Sequence, residues 1–378
     1  MTAGAVAVAA LLLPAAPARA AVTDWAQPGF DATNSAYNPG ESVINGGSVG
    51  TLKARWSVTP RRGDEGCTWL RPPVVAGGRA FVGVGNGVGA FDVASGKRVW
   101  RDVDAFEGYV SPQLAVAGGT LVAAGYDCYS NSDPDTRIVA FDAATGAQRW
   151  AGWVDTPADT VLVAGGVVVI SGESASDAPT VTGFRVSDGK RLWSHVDAEL
   201  PAPVAAGGRV LLTNVVTGAS YGVNVVSGAP AWKSASTFRV RAANPAGDRF
   251  YATTPDGALV AVRVGNGSRA WTRSAAWGVV TTDGRRLFVA RDRWLAAYGA
   301  TDGKRQWLKD LRGYVGRPVR AGGILYATVE GRDLAVLSPV TGRAGVVNPA
   351  WRTAREFPVP AGGRMYTTDG VTLRTYTP

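Results

Sequence analysis

A single eleven-residue pattern recurs along this chain at nearly constant spacing. Ala90-Phe-Asp-Val-Ala-Ser-Gly-Lys-Arg-Val-Trp100 returns as Ala140-Phe-Asp-Ala-Ala-Thr-Gly-Ala-Gln-Arg-Trp150 and as Ala297-Tyr-Gly-Ala-Thr-Asp-Gly-Lys-Arg-Gln-Trp307. Looser copies run from Gly183 to Trp193, Gly222 to Trp232 and Ala261 to Trp271, and a seventh, Val336 to Val346, keeps the Thr341-Gly342 turn but ends without the Trp. The copies start at 90, 140, 183, 222, 261, 297 and 336, intervals of 50, 43, 39, 39, 36 and 39. A unit of that size cannot bury an apolar face alone and must stack on its neighbours; a period near ~40 residues is that of a four-stranded propeller blade.

A second unit precedes each copy. The doublets Gly77-Gly78, Gly118-Gly119, Gly165-Gly166, Gly207-Gly208, Gly247-Asp248, Asp283-Gly284, Gly322-Gly323 and Gly362-Gly363 sit between short apolar runs, as hairpin turns needing positive φ do. Eight doublets predict eight blades, yet the last unit, Pro358 to Tyr376, stops one strand short. Leu52-Lys-Ala-Arg-Trp56 supplies a Trp-terminated strand at the other end and is expected to complete the eighth blade, closing the ring and removing its open edges. The fold class expected is therefore all-β, an eight-bladed β-propeller over 52–378 preceded by an N-terminal segment, 21–51. Composition agrees: 46% hydrophobic residues, 49 Gly and 22 Pro supply a core and many turns. One His and two Cys in 378 residues leave little for a His/Cys metal site or a His-based triad.

Residues Ala3 to Ala16 form an uncharged apolar run followed by Ala18-Arg19-Ala20, so 1–20 reads as a secretory signal peptide without a basic n-region. No later stretch is long and apolar enough to span a bilayer. The expected location is secreted or cell-envelope associated, where Cys67 and Cys128 would form a disulfide between two loops on one face of adjacent blades. The formal charge of +9 is spread along the chain, which favours anionic partners generically and argues against a dedicated nucleic-acid site.

The Ala-x-Asp-x-x-Thr-Gly-Lys-x-x-Trp unit resembles the tryptophan-docking repeat of the quinoprotein-like (PQQ-like) eight-bladed propellers. Trp25, Gly29, Asp31, Asn34, Tyr37, Asn38, Pro39, Val49, Leu52 and Trp56 are similar to the segment that leads into the ring of quinoprotein dehydrogenases. The resemblance implies that Trp56, Trp100, Trp150, Trp193, Trp232, Trp271 and Trp307 each pack between neighbouring blades, with Asp92 and Lys97 as turn residues on the outer rim. It leaves two functions open, because one fold hosts many. One is a non-catalytic scaffold binding a protein or an anionic cell-envelope polymer, needing no cofactor and acting as a monomer. The other is a PQQ- and Ca²⁺-dependent oxidoreductase, whose calcium ligands, catalytic Asp and adjacent-cysteine pair have no matching motif here.

Chemistry would sit where strands enter the ring from one face. Counting six residues back from each doublet gives Arg71, Pro112, Asp159, Pro201, Arg241, Trp277, Gly316 and Glu356, with Arg317 next in blade seven. Arg71, Arg241 and Arg317 could converge on an anion beside the stacking face of Trp277, or be paired with Asp159 and Glu356. Those two carboxyls are also the pair a polysaccharide lyase or hydrolase would use. The loop 126–135 offers Asp127, Asn131, Asp133 and Asp135 as hard oxygen ligands for calcium, although its spacing is not an EF-hand's and equally makes ordinary turns. His195, just after Trp193, is expected in a polar surface loop. Gly83-Val-Gly85-Asn-Gly87-Val-Gly89 lies between strands and opens no helix, so it is no dinucleotide fingerprint.

Overall fold

The structure is a computed structural model that describes residues 24–378 apart from 61–69, 107, 109–110, 131–133, 175, 333 and 346–355, and apart from the side chain of Asp159. The expected signal peptide, Cys67, Asn131, Asp133 and Val346 lie outside the described residues. The strands form eight separate sheets, the eight blades of a propeller. Their inner strands are Val74–Ala76, Gln113–Ala117, Ala158–Ala164, Ala205–Ala206, Arg239–Ala243, Val279–Thr282, Val319–Ala321 and Val359–Ala361. In blade one, Ala76 pairs with Arg79 across Gly77 and Gly78, whose φ values of 56° and 75° are those a two-residue hairpin turn demands and a side chain resists.

Burial follows from the stacking of sheets. The second strand of blade one, Arg79–Val84, is buried at nearly every position because neighbouring blades cover both its faces, while the outermost, Arg98–Asp102, is mostly exposed. The core is accordingly divided among blade interfaces; between blades one and two it is built from Phe81, Leu114, Leu121 and Phe141 with Trp100 against them.

Seven of the eight blades carry on their outer strand a Trp that crosses to the next blade. The indole N–H of Trp56 donates to Val93 O, Trp100 to Ala143 O, Trp150 to Val186 O, Trp193 to Val225 O, Trp232 to Val264 O, Trp271 to Ala300 O and Trp307 to Pro339 O, at 2.8 to 3.2 Å. The ring lies on the turn glycine of that next blade: a Cβ at Gly146, φ 77°, would sit 2.6 Å from Trp100. Where the turn opens on Asp or Asn that side chain holds the loop in shape, as Asp92 does by accepting from Ser95 N (2.8 Å) and Ser95 Oγ (2.6 Å).

The ring closes as the repeat count requires: Lys53–Val58 pairs antiparallel with Leu373–Thr377 as the outer strand of blade eight. A second closure lies on the axis. Residues 25–38 run around the channel and reach every inner strand in turn. Trp25 exchanges backbone hydrogen bonds with Val75 (2.7 and 2.9 Å), and Val116 N donates to Ala26 O (2.7 Å). Gln27 exchanges two with the backbone of Val163, both at 3.1 Å. Ala205 N donates to Ala32 O, Ala243 N to Thr33 O, Thr282 N to Ser35 O and Arg320 N to Ala36 O, at 2.7 to 3.0 Å. Asn38 Nδ2 donates to Pro360 O (2.8 Å), and Tyr37–Asn38 adds a parallel strand to blade seven. The inner edges of eight sheets would otherwise point unpaired N–H and C=O groups at the axis. Following so tight a circle costs backbone strain: Phe30, Asn34 and Ala36 sit at φ 88°, 52° and 49°.

The chain then leaves the axis between blades seven and eight. Glu41, 5% exposed, accepts from Val43 N and Ile44 N through Oε1 and from Gly363 N of blade eight through Oε2 (3.0 Å). Buried Ile44 presses its carbonyl onto Gly322 of blade seven. This is the interface whose repeat lacks a docking Trp. No helix among the described residues is long and apolar enough to cross a membrane.

Candidate functional site

Every hydrogen bond between the axial segment and an inner strand falls within two residues of that strand's doublet end, so the segment floors the channel at that end. The opposite end, where chains enter the inner strands, stays open as a cavity of about 460 Å³ over blades three to seven. Its floor is Asn34, its walls include Pro201 and Pro203, and Arg241, Trp277, Tyr314 and Arg317 line it.

Arg317 is anchored to the floor: its Nη2 donates to Asn34 O (2.7 Å) and Asn34 Oδ1 (2.8 Å). Its Nε is buried without a hydrogen-bond partner, and Phe357 lies 5.7 Å from the guanidinium carbon. Burial pulls its pKa down to about 10. Asn34 also donates through Nδ2 to Arg241 O (2.9 Å), so one amide organises the backbone of one arginine and the side chain of the other. Gly29, φ 87°, makes room for it, since any side chain there would collide with Asn34 Oδ1. Arg241 Nε donates to Thr253 Oγ1 (3.2 Å). Burial chiefly, then the neighbouring Arg239 charge, lowers its pKa, with Glu199 opposing.

Trp277 is 47% exposed, with the Arg291 guanidinium 5.1 Å from its ring centroid. Beyond these two a smaller hollow of about 170 Å³ continues outward over blade six to Trp294.

The residues found by counting from the doublets thus divide. Arg241, Trp277 and Arg317 share one cavity. Arg71 and Glu356 do not line it; they enter the neighbouring blades one and eight, and the Glu356 charge acts on Arg71. Arg71 is exposed yet enclosed by protein, as a side chain in a funnel is, and that enclosure lowers its pKa while Glu356 and Tyr126 act against it. Asp159 lies in the inner strand of blade three, and its neighbour Thr160 reaches the cavity. Asn34, Arg291 and Tyr314 escaped the count because they come from the axial segment, a strand end and a loop between blades. Among them only Asn34 carried a signal, its place in the pattern at the chain's start.

In the acidic loop Asp127 Oδ1 accepts from Tyr129 N (2.9 Å) and Ser130 N (3.3 Å), and Asp127 N donates to Asp135 O (2.9 Å), the bonding of a turn. Among the described residues no group of three or more His, Cys, Asp or Glu is placed to hold a metal ion. His195 corrects an expectation: it lies in the strand Arg191–Val196, not a loop. It is wedged between Trp193 and Tyr221, with Nε2 2.9 Å from Gly228 O, because the outer strand of blade three continues past its Trp.

The chain resembles known proteins at two levels. Over 236 residues it is 30% identical to an outer membrane protein assembly factor BamB of Shewanella oneidensis, covering 54% of this chain and 56% of that protein. It is 28% identical to a quinate/shikimate dehydrogenase (quinone) of Acinetobacter baylyi, covering 55% of this chain and 28% of that protein. Matching regions therefore span about half of one relative and a quarter of the other. Among solved structures, BamB from Moraxella catarrhalis superposes with a TM-score of 0.65 at 16% identity, covering 86% of this chain and 98% of that one. Quinohemoprotein alcohol dehydrogenase from Comamonas testosteroni gives 0.71 at 14% identity, covering 95% and 81%; both likenesses speak for the fold alone. A family match over 84–205, 199–276 and 272–367 takes in most of the ring, and the chain belongs to the PQQ_2 repeat family described as outer membrane protein assembly factor BamB.

Proposed function

We propose that this protein is an exported, non-catalytic binding propeller of the cell envelope, whose loop face takes a protein or an anionic envelope ligand at the mouth of the axial channel. One observation carries the reading. Two guanidinium groups, Arg241 and Arg317, face one blind cavity, and neither forms an ion pair among the described residues. A cation held away from water without a counter-charge is costly, and a ligand that brings one relieves the cost. The relative named as an outer membrane assembly factor supports an envelope location and a protein partner. Export would also oxidise the cysteines; a Cys67–Cys128 bridge fits the finding that no described cysteine is free.

The dehydrogenase relative raises PQQ with calcium as the alternative. That chemistry needs carboxylate and amide oxygens around a divalent ion beside the quinone. The described cavity offers three guanidiniums, Arg241, Arg291 and Arg317, with the Asn34 amide and Asp292, whose Oδ2 is 3.5 Å from Arg291 Nε. Such a lining suits an anion and does not fit a divalent cation.

The test is capture of envelope fractions by the immobilised chain. Arg241→Glu, reversing a charge at the cavity, is expected to abolish capture while leaving the unfolding temperature near that of the parent. Unchanged capture would remove the cavity from the reading. A calcium-dependent rise in unfolding temperature with PQQ would replace the reading with the oxidoreductase one.

A further inference from the structure

The exposed aromatic side chains are unevenly distributed. Among the described residues the exposed Trp and Tyr are Tyr129, Trp153, Trp277, Trp294 and Tyr314, and three of the five fall between 277 and 314, in blade six and its two flanking loops. Apolar rings gathered on one face mark an interaction surface. Here they are interleaved with guanidiniums: Arg291 lies over Trp277 at 5.1 Å and Arg293 over Trp294 at 5.6 Å. The axial cavity and the outer hollow both include Trp277 and Arg291, so they join into one lane from Arg241 and Arg317 at the axis to Trp294 at the rim. Along the lane the charge is graded. Arg293 is tied to Asp310 and Arg291 lies 3.5 Å from Asp292, so their charges are already answered, whereas Arg241 and Arg317 form no ion pair among the described residues, Glu199 acting on Arg241 only at longer range.

Resting on the loop-face reading above, we infer that this lane binds an acidic glycan chain, with sugar rings on Trp277, Tyr314 and Trp294 and a carboxylate of the chain's end held at the axis by Arg241 and Arg317. The repeat of such a polymer alternates a flat apolar ring face with a carboxylate fixed to that ring. The lane presents the same alternation, rigid aromatic faces and guanidiniums in sequence. An acidic peptide carries its carboxylates on flexible arms and has no ring to set on the exposed faces. The axial cavity, at about 460 Å³, admits a chain end of one or two rings and excludes a folded domain.

The experiment is titration calorimetry of the mature chain with a short oligogalacturonate, a neutral cello-oligosaccharide of the same length, a polyglutamate peptide and oligothymidylate. The expected result is saturable binding of oligogalacturonate, with the others much weaker. Trp277→Ala and Tyr314→Ala should each weaken it roughly tenfold, the loss of one stacking contact. Trp277→Phe, which keeps a ring, should retain most of it, and unfolding temperatures of all variants should match the parent. Polyglutamate or oligothymidylate binding as tightly, with the same dependence on Trp277, would overturn the assignment in favour of an acidic peptide or a single-stranded nucleic acid. Oligogalacturonate binding indifferent to both aromatic substitutions, or no binding at all, would also overturn it. If envelope capture still depends on Arg241, this inference falls alone; if capture is lost as well, the loop-face reading falls with it.

Discussion

Asn34 is the residue on which floor and mouth meet. Its side chain accepts from Arg317 and donates to the carbonyl of Arg241, partners 283 and 207 positions away in the chain. Truncation to Asn34→Ala strands two buried groups, an arginine donor and a backbone acceptor. A loss of about 1–3 kcal/mol for each group left unsatisfied is the usual scale, so urea denaturation should show a clear drop in midpoint with little change in slope. Trp150 allows a cleaner separation of causes. Trp150→Phe removes the 2.8 Å bond to Val186 O but leaves an aromatic ring on Gly189, at a cost of about 1–3 kcal/mol; Trp150→Ala also opens a cavity and should cost about 3–5 kcal/mol. Equal losses for the two would mean that the hydrogen bond, not the ring, carries the contact. The seven Trp positions were legible because they recur at the end of a repeat. Tyr314 and Arg291 were not, and Asn34 stood out only as a member of the pattern at the chain's start, because each acts through neighbours that only the closed ring brings near.

At the scale of the element, the blades were legible and the axial segment was not. A blade announces itself through a doublet, an apolar run and a docking turn at fixed offsets, and the need to close the ring identifies Lys53–Val58 as the missing strand of blade eight. Residues 25–38 have no period, because a chain circling eight strands meets each one once, by its backbone or by a single amide such as Gln27 or Asn38. Their order along the chain nevertheless matches the order of the blades. Deleting 24–38 while keeping Lys53–Val58 should therefore leave a ring with eight bare inner edges: a lower unfolding temperature and an open channel, but blades still formed by circular dichroism. A synthetic peptide spanning 24–40, added to that truncated chain, should restore part of the lost stability in proportion to its concentration. A truncated chain as stable as the parent would show that the axial hydrogen bonds merely replace bonds to water.

The molecule as a whole is fastened at its core by groups whose ionisation is suppressed, and this sets how it should respond to alkali. Tyr251, Tyr326 and Tyr366 are buried, and burial raises the pKa of each phenol well above its usual value of 10.0. An unfolded tyrosine releases its proton near pH ~10, so above that the unfolded chain binds fewer protons than the folded one and stability falls as pH rises. Arg317 works in the opposite sense. Burial lowers its folded pKa from the ordinary 12.5, as it lowers those of Arg241 and Arg71, so any proton released first from the folded state makes stability rise with pH; a guanidinium resists that release, which keeps this contribution small. Each ionising phenol contributes up to about 1.4 kcal/mol per pH unit, and the three phenols outweigh guanidiniums that hold their protons, so the net slope is downward. The urea midpoint should be flat from about pH 7 to about 9.5 and decline beyond about 10. Tyr366 separates the phenols from the rest: its hydroxyl is buried and makes no hydrogen bond, so Tyr366→Phe should cost nothing at neutral pH and make the alkaline decline shallower by one proton's worth. A midpoint that climbs between pH ~10 and ~12 would mean the guanidinium at the axis outweighs the three phenols, and that the charge stored beneath the open cavity is the larger cost in this fold.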